Sequence, residues 1–255
     1  GTYNVTIWAN DTVNNLNNSA SITVIFDNTI PQVSPGNISS PASNRNYSGT
    51  QSFNVSAFDI TSSIGGVIFN VSRATTGVQN ATLNASREGT LASFSASINT
   101  ASFPDRTYNV TVLLNDTAGN NNNSALVTIV LFDNTVPQVS PGNITSLINR
   151  GNFSGLNKAF NVSVDDLTAG VGAVFFNITN ASLMTQNESK TATREGTTSS
   201  YSILINTTGF ADGTYNVTIW ANDTAGNNNR SASVTVIFDN TVPQVSPGNI
   251  TSLIN

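Results

Sequence analysis

The sequence predicts an all-β chain of tandem antiparallel sandwiches, on three observations. Apolar and polar residues alternate with period two in segment after segment. Gly, Asn and Asp turn signals separate these segments about every ten residues, and whole sets of segments recur at a fixed spacing. The clearest stretch is residues 213–239, GTYNVTIWANDTAGNNNRSASVTVIFD. Tyr215, Val217, Ile219 and Ala221 alternate with Asn216, Thr218, Trp220 and Asn222, which gives a strand one buried and one outer face. The turn that follows, 223–227, carries Gly and Asn, which accept left-handed backbone angles cheaply. On the return strand Ala232, Val234, Val236 and Phe238 alternate in the same way. The same hairpin occurs at 1–27 and 106–133. Two strands alone are marginal in water, so each hairpin needs a sheet to join.

Asp27, Asp133 and Asp239 mark the same point of the pattern at intervals of 106 residues. The predicted organisation is therefore the C-terminal hairpin of an incomplete repeat at 1–26, full repeats at 27–132 and 133–238, and the first strand of a further repeat at 239–255. Residues 133–149 and 239–255 are identical. In the repeat 133–238 seven strands are expected. The first follows DNTVPQVSPG, where Pro137 and Pro141 confine it to a sheet edge; the others are 160–164, 173–179, 185–193, 200–206, 214–222 and 231–238. No segment shows helical periodicity. Alternation places Phe53, Val55, Val67, Phe69, Phe94, Ile98, Tyr108 and Val110 inside the first full repeat. Phe160, Val162, Val174, Phe176, Tyr201, Ile205, Tyr215 and Val217 take the same place in the second. The fragments 1–26 and 239–255 supply too few strands to fold alone, and are expected to be completed by flanking sequence or by a neighbouring subunit. A chain that begins inside a repeat, without an initiator Met, reads as an excerpt of a longer or processed protein.

One detail selects the kind of sandwich. Asp212-Gly213-Thr214-Tyr215 precedes the sixth strand, and Asp105-Arg106-Thr107-Tyr108 repeats it. A Tyr at the start of that strand is the tyrosine corner of immunoglobulin-like folds, here in a version without disulfides because the chain has no Cys. DGTYNVTIWANDTAGN, followed by SASVTVIFDNTVP, resembles the Ig-like tandem repeats of large bacterial and archaeal cell-surface proteins, and its Asn-rich form looks archaeal. Asp59 and Asp166, each before a Gly-Val or Gly-Gly-Val turn, match that family's aspartate between the second and third strands. The resemblance covers both full repeats and both fragments. It implies an extracellular stalk, adhesin or fibre without enzymatic chemistry of its own.

Composition narrows the function classes. Cys and His are both absent, which removes thiol catalysis, His-based triads and the usual zinc sites. Net charge is −5, yet only 9% of residues are charged, and Asn, Ser and Thr fill the surface instead. There is no basic patch for nucleic acid, and the longest apolar run, 126–132, is far too short to span a bilayer. Asp165 and Asp166 do not form a glycosidase pair: adjacent strand residues point to opposite faces, and Phe58 stands for Asp165 in the other repeat. Lys158 invites a Lys–Asn isopeptide reading, against which Gln51 occupies its counterpart position.

The loudest signal is Asn-x-Ser/Thr. Of 39 Asn, 23 head such a sequon; with 64 Ser or Thr in 255 residues, chance gives about ten. Sequons recur at Asn4/Asn109/Asn216, Asn10/Asn115/Asn222, Asn17/Asn122/Asn229 and Asn37/Asn143/Asn249, and in pairs at Asn46/Asn152, Asn54/Asn161, Asn70/Asn177 and Asn80/Asn187. Asn84, Asn180 and Asn206 complete the set. Strand parity puts Asn4, Asn54, Asn70, Asn109, Asn161, Asn177 and Asn216 on the outer face, loop sequons such as Asn115, Asn143, Asn222 and Asn229 are accessible by position, and most of the recurrent sequons are expected to carry N-glycans that replace the missing surface charge.

The acids recur as Asp11/Asp116/Asp223, Asp27/Asp133/Asp239, Asp59/Asp166 and Asp105/Asp212. Stacked head to tail, Asp105 and Asp133 of one domain would face Asp166 and Asp223 of the next, an oxygen set suited to Ca²⁺; the alternative is that each Asp binds its own turn backbone. Trp8 and Trp220 fall on the outer parity, as contacts for another chain or glycan, or under a neighbouring loop. The reading is a structural, heavily N-glycosylated extracellular Ig-like array, a surface stalk, filament or fibre, whose partners are other copies of itself or flanking repeats arranged head to tail. It involves no cofactor beyond the possible calcium. The rival readings are an adhesin that binds a partner surface and an accessory carbohydrate-binding module of a secreted enzyme.

Overall fold

The computed structural model of the chain describes residues 1–89, 92–139, 142, 144, 146–147 and 149–245, with the side chains of all of these except 34–39, 124–127 and 186–187. It divides into two units, Gly1–Asn134 and Thr135–Asn255.

The first unit opens with a hairpin, β1 (Thr2–Asn10) and β2 (Leu16–Ile25), which forms a two-stranded sheet of its own. Its turn is closed by Asp11, whose Oδ1 accepts from the Val13 and Asn15 amides while Asn14 takes φ 69°. The sandwich follows, with β3 (Gln32–Ser40), β4 (Arg45–Tyr47), β5 (Thr50–Phe58), β6 (Ile64–Arg73), β7 (Gln79–Asn84), β8 (Ser86–Arg87), β9 (Ser93–Asn99), the 3₁₀ turn η1 (Thr100–Ser102), β10 (Arg106–Asp116) and β11 (Asn121–Phe132). One sheet has the order β3-β5-β9-β8 and the other β4-β11-β10-β6-β7. All pairings are antiparallel except β4 with β11. The order is that of an immunoglobulin-type sandwich, in which the first strand is shared between both sheets.

The second unit repeats the plan with β12 (Gly151–Phe153), β13 (Lys158–Ser163), β14 (Val171–Asn180), β15 (Gln186–Thr191), β16 (Thr193–Arg194), β17 (Ser200–Ile205), the 3₁₀ turn η2 (Thr207–Gly209), β18 (Gly213–Asp223) and β19 (Asn228–Phe238). Its sheets are β13-β17-β16 and β12-β19-β18-β14-β15. Single bridges, Gln138 with Asp165 and Ile144 with Val162, stand where β3 stands in the first unit. The chain is thus all-β, as the alternation predicts. The described residues hold no α-helix, only 3₁₀ turns.

Two expectations change in detail. The strand expected at 185–193 is two strands in two sheets: β15 pairs with β14, β16 with β17, and the half-buried Ala192 between them packs on the core. Ala85 takes the same place between β7 and β8. A small apolar side chain lets the strand cross from one sheet to the other without leaving a gap at the sandwich edge. The expected first strand of 239–255 lies mostly outside the described residues.

All the expected inward residues are buried. Each sandwich has its own core, the first centred on Phe53, Phe69, Tyr108 and Phe132 and the second on Phe160, Phe176, Tyr215 and Phe238. The tyrosine corner is formed in both: Tyr108 Oη donates to the Pro104 carbonyl at 2.9 Å and Tyr215 Oη to that of Ala211 at 2.8 Å. The hairpin β1–β2 differs. Tyr3 is 54% exposed and Ile7 65%, whereas their counterparts Tyr108 and Val112 are 0% and 1% exposed.

Phe69→Ala removes a fully buried ring, and is expected to lower unfolding free energy by about 3–5 kcal/mol in a denaturant titration. Tyr108→Phe, which deletes only the corner hydroxyl, should cost about 1 kcal/mol. Leu167→Ala, at a fully exposed position, should stay within about 0.5 kcal/mol of the parent.

Candidate functional site

The strongest concentration of ligating chemistry in the first unit lies where the chain leaves β2 and enters the sandwich. Asp27 follows β2, Asp59 opens the loop between β5 and β6, and Asp116 ends β10; one carboxylate oxygen from each lies within 4.8 Å of the others. Glycines bring these loops together. A Cβ on Gly65 would stand 2.7 Å from the Asp116 carbonyl oxygen, so only glycine there allows β6 to run this close to the end of β10. In the second unit Gly172 makes the same approach, at 2.8 Å from the Asp223 carbonyl oxygen.

Each carboxylate first holds its own loop. Asp59 Oδ1 accepts from the Thr61 and Ser62 amides, both at 2.8 Å. Asp116 Oδ1 accepts from the Ala118 and Asn120 amides, and its Oδ2 from Asn120 Nδ2 at 2.8 Å. Asp27 Oδ1 accepts from the Thr29 amide at 2.9 Å, and Asn120 Nδ2 also reaches the Asp27 carbonyl at 3.1 Å. Asp27 Oδ2, Asp59 Oδ2 and Ser62 Oγ are buried, and the Ser62 hydroxyl beside Asp27, with the Thr29 amide, holds the Asp27 carboxyl below its ordinary value. Three carboxylates this close, with two of their oxygens buried, repel one another unless a positive group joins them. The donor set is all hard oxygen, which suits Ca²⁺, an ion that takes six to eight oxygens at about 2.3–2.6 Å. Burial pushes the Asp116 carboxyl up, but its hydrogen bonds with Asn120, Ala118 and Gly119 together outweigh that and hold it below its ordinary value.

The four residues expected to ligate calcium each make contacts of their own. Asp105 joins no such acidic group among the described residues: its Oδ1 accepts from the Asn134 amide at 2.8 Å and from Asn134 Nδ2 at 3.2 Å. Asp133 is wholly buried at the end of β11, and its amide donates to the Tyr47 carbonyl. In the second unit Asp166 Oδ1 accepts from the Thr168, Ala169 and Gly170 amides, and Asp223 Oδ1 from those of Ala225, Gly226 and Asn227. Asp166 and Asp223 are the repeat counterparts of Asp59 and Asp116, so the turn-forming role and the ligating geometry coexist in the same carboxylates.

The sequons sort by exposure. Asn4, Asn10, Asn17, Asn80, Asn84, Asn152 and Asn206 are exposed. Asn46, Asn54, Asn70, Asn109, Asn115, Asn122, Asn161, Asn180, Asn216, Asn222 and Asn229 are half-buried. Asn37, Asn143, Asn187 and Asn249 fall outside the described side chains. Asn177 corrects the expectation of access. Its neighbours Phe176 and Ile178 face the core, so its outward parity holds, yet it is only 5% exposed and its Nδ2 is buried without a partner. It lies on β14, which β15 and β18 flank opposite Ser189 and Thr218, and the neighbouring strands' side chains cover it. As folded, that nitrogen has no room for a sugar.

Trp220 is half-buried, covered not by a loop but by Arg230 of the adjacent β19, whose guanidinium carbon lies 3.6 Å from the ring centroid. Trp8, with Asn18 at the Arg230 counterpart, is 65% exposed.

Sequence reasoning missed a second set of residues. Asn134 follows β11; its Nδ2 donates to the Thr100 carbonyl at 3.1 Å, and its Oδ1 accepts from Thr100 Oγ1 at 2.7 Å. Asn240 repeats this with Thr207 and adds the Phe210 carbonyl, while its amide donates to Asp212 Oδ1 at 2.6 Å. The available signal was the recurrent Phe-Asp-Asn-Thr, whose Asn heads no sequon.

No family model matches the chain, and no curated protein does. Among solved structures it is similar to the fibronectin(III)-like modules of Clostridium thermocellum CbhA, at 18% identity over 80% of this chain and 92% of that one, with a TM-score of 0.42. It is similar to the FN1–FN3 domains of chicken CNTN1, at 13% identity over 93% and 75% of the two chains, with a TM-score of 0.45. It is also similar to a tetra-tandem repeat in the extending region of a large adhesion protein, at 20% identity over 93% and 56%, with a TM-score of 0.35.

Hydrogen bonds from Thr241 Oγ1 and the Asn240 amide hold the Asp212 carboxyl below its ordinary value. A depressed folded value means stability that is present above the unfolded value of about 3.9 and lost as pH falls through the lower folded one. Asp212→Asn should therefore flatten the stability of the full chain between neutral pH and that acid range, read by thermal melts at stepped pH.

Proposed function

We propose that the chain is a structural, non-enzymatic segment of an extracellular array of Ig-like repeats, forming a surface stalk, filament or fibre. The observation that carries this reading is the recurrence of one sandwich in which each full repeat has a separate apolar core. Units that fold on their own cores extend an array by copy number, with each repeat contacting its neighbours only. The absence of Cys and His supports a mechanical rather than a catalytic role. Sparse charge with abundant sequons supports N-glycans as the solubilising layer. The exposed Tyr3 and Ile7 of the β1–β2 hairpin support head-to-tail partners: in a further repeat, of another copy or of flanking sequence, the same face would be covered as it is in β10–β11 and β18–β19.

Within this reading the Asp27, Asp59 and Asp116 group takes a divalent cation, with Ca²⁺ the best match to its oxygens. The ion would bridge the segment leaving the hairpin to two loops of the sandwich. It would stiffen that junction while the core stays as it is.

Electron microscopy of native material tests the array: extended filaments or stalks are the expected result, and dispersed globular monomers would overturn it. For the cation, calorimetric titration of the chain with Ca²⁺ should give saturable binding that Asp59→Asn abolishes without lowering the chelator-treated melting temperature. Equal heats for parent and variant would remove the ion from the account.

A further inference from the structure

The outer face of the first sandwich carries a cavity of about 440 Å³ beside Asn70. Its floor is apolar: half-buried Ile68 of β6 and Leu113 of β10, which face each other as Cα partners. The exposed Gln79, Thr82 and Asn123 stand on its rim. Gln79 Nε2 donates to Thr82 Oγ1, which leaves the Gln79 oxygen to accept and the Thr82 hydroxyl to donate. None of the residues that line the cavity is charged. A space of this size, with an apolar floor and a few polar groups at its edge, fits a neutral ring of hydroxyls such as a sugar, and offers nothing to an ion.

Asn70 heads a sequon and lies on this stretch of β6, between Thr82 of β7 and Thr111 of β10. Its Oδ1 is buried and makes no hydrogen bond, so the nitrogen is the end of the amide turned towards the cavity that Asn70 lines. The counterpart in the second sandwich, Asn177, also lies between two strands, opposite Ser189 of β15 and Thr218 of β18. There the nitrogen is the buried atom, and the residue is 5% exposed. Phe175 and Trp220, again Cα partners, take the places of Ile68 and Leu113. Arg230 takes that of Asn123, with its guanidinium over the Trp220 ring. Both sequons sit in full repeats with a strand on each side, so the difference between them comes from the side chains around them.

We propose that the cavity is the seat of the first sugar of an N-glycan on Asn70, and that Asn177, its repeat counterpart, stays bare. This rests on the glycosylated reading above, and adds which of the paired sites takes sugar and what holds it. A glycosyl (pyro)phosphate donor supplies the sugar. The bond from Nδ2 to the anomeric carbon forms, the anomeric C–O bond to phosphate breaks, the phosphate leaves with that electron pair, and one amide proton passes to a base. The C–H face of the ring then lies on Ile68 and Leu113 and takes their apolar surface out of water, while its hydroxyls meet the amides and hydroxyl of the rim. Asn177 presents no nitrogen surface on which the same step could start.

Site-resolved glycopeptide mass spectrometry on the protein from its natural source should find sugar on Asn70 and none on Asn177. A bare Asn70 beside glycosylated exposed sequons such as Asn152 overturns the proposal and leaves the glycosylated reading standing. Sugar on Asn177 overturns the contrast, and if every sequon is bare both the proposal and that reading fall. The seat has its own readout. In the glycosylated chain, nuclear Overhauser contacts should join protons of the first sugar to the methyl groups of Ile68 and Leu113; sugar on Asn70 without them removes the seat. Leu113→Trp combined with Asn123→Arg rebuilds the Trp220–Arg230 layer in the first sandwich. Made in the natural host, this variant should lose sugar at Asn70 while Asn152 keeps its own. Unchanged occupancy of Asn70 in a variant that melts like the parent overturns the role of the cavity, and if the variant does not fold the Overhauser contacts decide.

Discussion

In the first sandwich Phe53 of β5 meets Phe69 of β6 edge to face across the two sheets at 5.8 Å, and Tyr108 of β10 lies 4.8 Å from Phe132 of β11 in the same sheet. The second sandwich sets Tyr215 against Phe238 at 4.7 Å, with Phe210 edge-on to both. This aromatic burial inside each sandwich is the interaction everything else depends on. The chain has no disulfides to close its loops, and its few charges make just one ion pair among the described residues, Lys190 with Glu188 on the surface at 3.3 Å. The core therefore has to hold each sandwich by itself. The tyrosine corner ties that core to the connection before β10 and β18, because a buried phenol must find an acceptor and the nearest one is the backbone of the turn it follows.

The ends of the sandwiches are held by different chemistry. Where another protein would use ion pairs, this one uses short polar side chains that fold back on the main chain. Asp59, Asp116, Asp166 and Asp223 each gather amides of the loop they begin, and Asn134 and Asn240 lock onto the 3₁₀ turns after β9 and β17. A carboxylate with one oxygen committed to amides keeps the other fixed in space. At the junction of β2 with the sandwich this leaves two such oxygens buried, Asp27 Oδ2 and Asp59 Oδ2. The same loop-forming habit thus produces a preorganised oxygen cluster at no extra cost in order, since the residues are already immobilised by their turns.

Asn and Thr dominate the outer faces, and there too the same side chains do more than one thing. Thr23 donates to Asn4 across its hairpin, as Thr235 does to Asn216. These cross-strand pairs engage the Asn oxygen. At Asn122 and Asn229 the nitrogen is the committed atom instead. Sequence composition treats all of these as sequons, whereas the fold divides them by which end of the amide it uses.

What the sequence determined by itself is whatever depends on local periodicity. Alternation identifies the inner residues of every strand, the 106-residue interval separates the repeats, and Tyr108 and Tyr215 mark the corner that defines the sandwich type. These features need only a strand's two faces and a turn's backbone preferences. The tertiary structure alone decided what depends on residues far apart in the chain. Alternation runs unbroken through Ala85 and Ala192, so it does not reveal that the strand crosses between sheets there; the partner strands do. Parity puts Asn177 outward, but its cover comes from flanking strands that sequence does not place beside it. Recurrence marks every repeated Asp alike, yet Asp105 closes onto Asn134 while Asp27, Asp59 and Asp116 converge, because loop ends meet through the sheet order and the glycine-permitted approach of β6 to β10. One strand carries its own pattern, but a site is made by several strands, and the fold alone brings them together.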